Sequence, residues 1–292
     1  MPSCQVDQIV QARPMAEGAG VVVHRTIGTP GLRNLDPFLM LDHFGTENPD
    51  DYIAGFPDHP HRGFITLTYM IDGHMLHEDS MGNRGDLKAG GAQWMKAGSG
   101  VIHSEMPQQT DGLMRGFQLW INLPAAQKMT APGYQEYSAE AMPTVSLDGG
   151  SATLIAGEIG TARGPIEDPN TEAFYFDLNV LAGNTMTLDV PKQHQCFLYC
   201  YAGNASIVSD DTLRPIPTHS LATISNGDSL QLAAGDDGAR LIFVGGKPIN
   251  EEIVQYGPFV MNSRREIEAA IADYHNGQLV RERAAFVTDN QA

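Results

Sequence analysis

Apolar and polar residues alternate with a period of two over short stretches of this chain, and breaks rich in Gly, Pro and Asp separate the stretches. Between Phe64 and Ile71 the apolar residues are spaced by Thr66 and Thr68, and an Asp72-Gly73 pair follows. That pattern predicts a strand closed by a turn. Residues 19–27, with Val21, Val22 and Val23, and residues 92–96 and 116–123 extend the series. The pattern lapses between Pro124 and Gly133 and resumes at 153–156, 173–181, 185–190, 196–201 and 240–244. Two β units in tandem are therefore expected, 1–133 and 134–292, each an antiparallel barrel or sandwich. One stretch has the helical period instead: Ile267, Ala270, Ile271 and Tyr274 recur at spacings of three and four. Ser263 and Glu266 make a capping box before it and Asn276-Gly277 a stop after it, which predicts a short helix over 263–276. Its Ile267, Ile271 and Tyr274 face should pack on a barrel.

Composition narrows the classes. The 31 Gly and 18 Pro among 292 residues suit many turns rather than long helices. With 18 basic against 35 acidic residues, a net charge of −17, and no basic run, a nucleic-acid face is excluded. No apolar run approaches membrane length, and Met1 to Asp7 lacks the basic and apolar regions of a secretory leader. A cytoplasmic protein is expected, in a reducing compartment. The three cysteines, Cys4, Cys196 and Cys200, form no disulfide framework and read as small buried apolar residues.

The candidate chemistry lies in two pairs. His59 and His61 precede the Phe64 strand, and in an extended chain residues i and i+2 share a face. His103 and Glu105 repeat the spacing some forty residues on. If the two stretches run side by side, three imidazoles and one carboxylate converge, a donor set suited to a divalent transition metal. Structural zinc prefers four closed ligands, usually including Cys, and no cysteine is near. A six-coordinate ion with four protein ligands keeps two positions for water, a bidentate substrate or dioxygen, which points to an oxygenase. His74 and His77 read as surface or rim residues, and His43 as a packed loop residue. His194 and His219 have no partner at ligand spacing, so the second barrel is expected to be metal-free. Trp94 and Trp120 read as core, and Gln118 as an inward-pointing donor toward a ligand. No Gly-x-Gly-x-x-Gly opens a helix, so no phosphate loop is expected.

Several longer motifs carry a resemblance. Residues 39–45 (Leu39 to Gly45), 59–64, 80–85, 93–100, 103–107 and 255–262 (Gln255 to Asn262) together resemble the pirin family, across nearly the whole chain. Pirins are bicupins, so the resemblance implies two tandem cupin (jelly-roll) barrels. It implies one metal in the N-terminal barrel, usually iron as Fe(II), on His59, His61, His103 and Glu105; Mn, Ni, Co, Cu or Zn stay open. Many pirins keep a Glu at the place of Ile65, which this chain lacks, and the substitution should alter the surroundings of the metal rather than its ligands. Some members resemble quercetin 2,3-dioxygenases, which cleave the flavonol ring with O2 and release carbon monoxide. Glu105 would then be ligand and catalytic base, with a small aromatic substrate and O2 as partners and a monomer as the working form. The alternative implied by other members is a non-catalytic, redox-sensitive regulator that docks a protein partner.

Overall fold

The structure, a computed structural model, describes residues 3–209, 212–225 and 227–281. Among these residues it is all-β apart from three 3-10 turns and one α-helix, Arg264–His275, and the strand pairs that carry the candidate site are antiparallel. The chain divides into two compact units, and neither is a contiguous segment.

One unit comprises residues 15–23, 43–138 and the chain from Asn250 on. A four-stranded sheet runs in the order Phe56–His61, Val101–Pro107, His74–Asp79, Arg84–Lys88. Four consecutive strands of a larger sheet, Gly133–Tyr137, Ala92–Lys96, Phe64–Asp72 and Met114–Asn122, belong to the same unit. Phe64 to Met70 is buried at every residue, because the strand has a paired neighbour on each edge and is covered on both faces. Val21, Val23, Phe44, Tyr52, Met70, Met75, Leu87 and Met114 form its apolar core.

The helix belongs to this unit too, not to the C-terminal barrel in which the sequence places it. Ser263 caps it by accepting from the Glu266 backbone N–H (3.4 Å), and the Glu266 carboxylate reaches back to the Asn262 N–H (3.2 Å). Ile267 and Ala270 are buried with Phe259, Met261 and Leu279, and Ile271 packs against them. Tyr274 is 40% exposed, so the packing face is narrower than the expected Ile267, Ile271 and Tyr274 stripe. The side chain that extends it instead is the small Ala270, which lets the helix lie close to its strands.

The other unit comprises the chain up to Pro14, residues 24–42 and residues 139–249. Its main sheet runs Gln5–Gln11, Ser220–Ser225, Gln195–Ser209, Ser229–Gly246, Phe174–Val180, Gly150–Ala156, Thr144–Leu147. A single cut at 133 therefore does not describe the division. The N-terminal strand pairs with Ser220–Ser225, register Ile9 on Ala222, and so joins the C-terminal series. Cys4, Cys196 and Cys200 lie free in this unit's apolar core. Burial pushes the Cys200 thiol up to about 11, and that of Cys196 higher still, so neither is a thiolate.

Candidate metal centre

The Val101–Pro107 strand places the site. On one edge His103 lies opposite His59 and Val101 opposite His61; on the other, His103 faces Asp79 and Glu105 faces His77. The register shifts between His103 and Glu105, which brings Glu105 opposite Phe56. Just beyond His61 the chain turns at Gly63, with φ +90°. A Cβ at that position would meet the Val260 carbonyl oxygen at 2.0 Å, so only glycine fits.

The ring centroids of His59, His61 and His103 stand 4.3 to 4.9 Å apart, and a ring nitrogen of each falls within 4.8 Å of the other two. His61 and His103 are buried and His59 half-buried. Burial first, and the neighbouring imidazoles second, hold the pKa of His61 and of His103 well below the usual histidine value. Both rings are thus neutral and carry a lone pair. His59 Nδ1 donates to the Pro57 carbonyl (2.8 Å), so Nε2 is the nitrogen not engaged by that bond. His61 Nδ1 and His103 Nε2 are buried without a hydrogen-bond partner among the described residues. Buried polar atoms are normally paired, so these orphans mark a place for another atom. The His/Glu group fits a divalent metal.

Glu105 is 3% exposed and held at both oxygens. Gln93 Nε2 donates to Oε1 (2.9 Å) and Gln118 Nε2 to Oε2 (3.2 Å). The Thr68 hydroxyl sits between Glu105 Oε1 (3.2 Å) and Gln118 Oε1 (2.7 Å). Tyr134 reaches Gln93 Oε1 at 3.0 Å; burial and the nearby Glu136 keep it a phenol by raising its pKa. Gln93 and Thr68 reach the site because they pair across adjacent strands, a register that no local pattern announces.

Glu105 does not fall in one close group with all three histidines. It forms a second group with His103 and His77, and His103 is common to both. His77 is therefore no rim residue: it is 1% exposed, with Nε2 3.3 Å from Asp79 Oδ2 and Nδ1 3.3 Å from His103 Nδ1. Burial alternates along this strand, with Met75, His77 and Asp79 buried and His74, Leu76 and Glu78 partly exposed, but the sequence hides it by placing apolar Leu76 on the outer face and polar His77 and Asp79 on the inner one. His74 does lie at the rim, paired with the exposed Asp86. Burial raises the pKa of Asp79, but hydrogen bonds from His77 and Asn83 outweigh it and hold the carboxyl below the usual range. His43 is a buried strand residue stacked on Phe117 at 4.7 Å. Trp120 is half-buried and stands edge-on to His61 at 5.2 Å, on the same strand face as Gln118. His194 and His219 lie in the other unit, where His194 Nε2 donates to the Glu172 carbonyl.

Known proteins resemble this chain in sequence and in fold along most of its length. The family model described as Pirin matches residues 20–121, and the one described as Pirin C-terminal cupin domain matches 175–280. A Pseudomonas aeruginosa protein named "Putative quercetin 2,3-dioxygenase" is 51% identical over 91% of this chain and 94% of its own. The "Pirin-like protein" of Caulobacter vibrioides is 43% identical over 95% of this chain and 100% of its own. Among solved structures, quercetin 2,3-dioxygenase from Acinetobacter baumannii superposes with a TM-score of 0.87 at 33% identity, covering 95% of this chain and 98% of that one.

Proposed function

The chain belongs to the pirin family, with its two-domain cupin fold, and on that premise we propose that it is a metal-dependent dioxygenase of quercetin-like flavonols or related aromatic enols. The observation that carries the reading is the convergence of three imidazoles, those of His61 and His103 buried, beside a carboxylate pinned by two amides. The names carried by the P. aeruginosa relative and the A. baumannii structure support the flavonol class.

In this reading His59, His61, His103 and Glu105 hold one divalent ion, with Fe(II) the first candidate. Bound there, the metal supplies Lewis acidity and open positions for oxygen donors. The protein's own residues do the rest. Glu105 takes the flavonol hydroxyl proton at a carboxylate oxygen; Oε1 faces both the Gln93 amide and the Thr68 hydroxyl, whereas Oε2 accepts from the Gln118 amide and keeps a lone pair. Gln93 and Gln118 keep that carboxylate from rotating, and Trp120 beside His61 presents an aromatic edge to a flat substrate. The balanced change is flavonol plus O2 to a ring-opened ester plus carbon monoxide.

The test is to load the purified protein with Fe(II), add quercetin, and follow flavonol absorbance and oxygen uptake together. Matched loss of both is the expected result. A protein that holds its metal yet consumes neither flavonol nor oxygen would overturn the enzyme reading, and a metal-dependent regulatory role would replace it.

A further inference from the structure

We infer that His77 and Asp79 are positioning residues that select which nitrogen of His103 presents its lone pair to the metal. The inference rests on the ligand set proposed above and assigns a task to two residues outside it. Asp79 is surrounded by donors: Oδ1 accepts from the backbone N–H of Met81 (2.9 Å) and of Asn83 (3.0 Å), and Oδ2 from the Asn83 side-chain amide (2.9 Å). The group facing Oδ2 from the other side, His77 Nε2 at 3.3 Å, is then an N–H donor as well. The inferred arrangement makes His77 a neutral ring with its one N–H on Nε2, so that its Nδ1 is left as an acceptor. Opposite it, at 3.3 Å, is His103 Nδ1, and two ring nitrogens can meet at that distance only if one donates. His103 therefore holds its proton on Nδ1. Its lone pair is on Nε2, the buried atom without a partner among the described residues.

The rest of the pocket keeps this chain in place. His77 stacks on Tyr134, centroids 4.8 Å apart and planes 27° apart, which fixes the plane of the ring. The β-register sets His103 opposite Asp79 and Glu105 opposite His77, so the backbone ladder spaces all four residues. His59 meets the same need by a different route, through the Pro57 carbonyl. The rival role for His77, as a metal ligand in its own right, conflicts with the engagement of both of its nitrogens.

Long-range proton–nitrogen correlation spectra of the metal-free protein near neutral pH test this without any substitution. His77 protonated on Nε2 and His103 on Nδ1 is the expected pair; His103 protonated on Nε2 overturns the inference. The second arm measures Zn2+ affinity by chelator competition in His77→Phe, which keeps a ring against Tyr134, and in His77→Gln, whose carbonyl oxygen can still accept. Loss of such an outer partner weakens metal binding about 10- to 100-fold. The Phe variant should show that loss and the Gln variant should recover part of it. A Phe variant with wild-type affinity overturns the inference, and if that variant does not fold, the spectra and the Gln variant still decide. Wild-type protein that binds no Zn2+ would sink the ligand set instead, while the protonation pattern of the two rings would remain readable.

Discussion

In the proposed function a single carboxylate, Glu105, has two tasks, and the tasks can be separated. Glu105→Gln keeps the size and one oxygen but loses the charge and the basic site. Turnover of a flavonol should fall by about 100-fold or more, the range of a general base, while metal content falls far less. Metal analysis alongside oxygen uptake checks this, and equal losses would confine Glu105 to binding. His61→Ala should lose most of its metal on dialysis, since Phe64 beside that ring has no donor atom and the Trp120 indole N–H has no lone pair to offer in its place. The residue scale is also where the sequence is most and least legible. His59, His61, His103 and Glu105 stand out because a spacing of two needs only an extended backbone. His77 escapes notice when compared with His74, because that comparison says which face His74 occupies and not which face looks inward. Gln93 and Thr68 carry no signal at all until strand register is known.

At the level of elements, the turn at Gly63 joins the strand bearing His59 and His61 to the buried Phe64–Asp72 strand. Gly63→Ala must push back the Val260 carbonyl oxygen and adopt an unfavourable φ, so it should destabilise the protein by about 1–3 kcal/mol. Because the turn follows His61 directly, metal affinity should fall with stability, which denaturation and metal titration of one preparation will show. The helix offers a contrast. Ser263→Ala should cost about 1 kcal/mol through the lost cap and leave metal affinity unchanged. The helix was readable to within a residue at each end because capping chemistry is local. Its place in the fold was not, since Ala270, rather than Tyr274, completes the buried face.

Across the whole molecule, two buried basic side chains tie the segment after Asn250 into the unit that carries the candidate metal centre. Arg62 bonds Ser99 O (2.6 Å) and pairs with Asp273 (2.8 Å), while Lys128 Nζ bonds Asn122 Oδ1 (2.6 Å), Gly63 O (2.7 Å) and Val260 O (3.1 Å). Burial lowers the Lys128 pKa from 10.5 to about 7, against the opposing pull of Glu251 and Glu266. Between those two values the unfolded chain binds a proton that the folded chain does not, so this group makes stability rise with pH across the window and contributes no slope below about 7. Lys128→Met should remove that slope and also leave three acceptors unpaired, at about 1–3 kcal/mol each. Denaturant melts at a series of pH values will report both effects. None of this was visible in a strand count, which supports a cut at 133, because pairing between Gln5–Gln11 and Ser220–Ser225 leaves no mark on either stretch alone.

The same clasp bears on how the protein is made. A ribosome releases the chain from its N-terminus, so the histidine strands emerge well before Val260 and Asp273. Until those residues arrive, Arg62 lacks its carboxylate and Lys128 one of its carbonyls, and the turn beside His61 has nothing to close against. The candidate metal centre thus waits for the residues from Val260 to Asp273 to be translated. In the proposed reading, capture of an ion by the closed site follows emergence of that segment, and a message truncated near codon 250 yields the strands of the site without the contacts that close its turn.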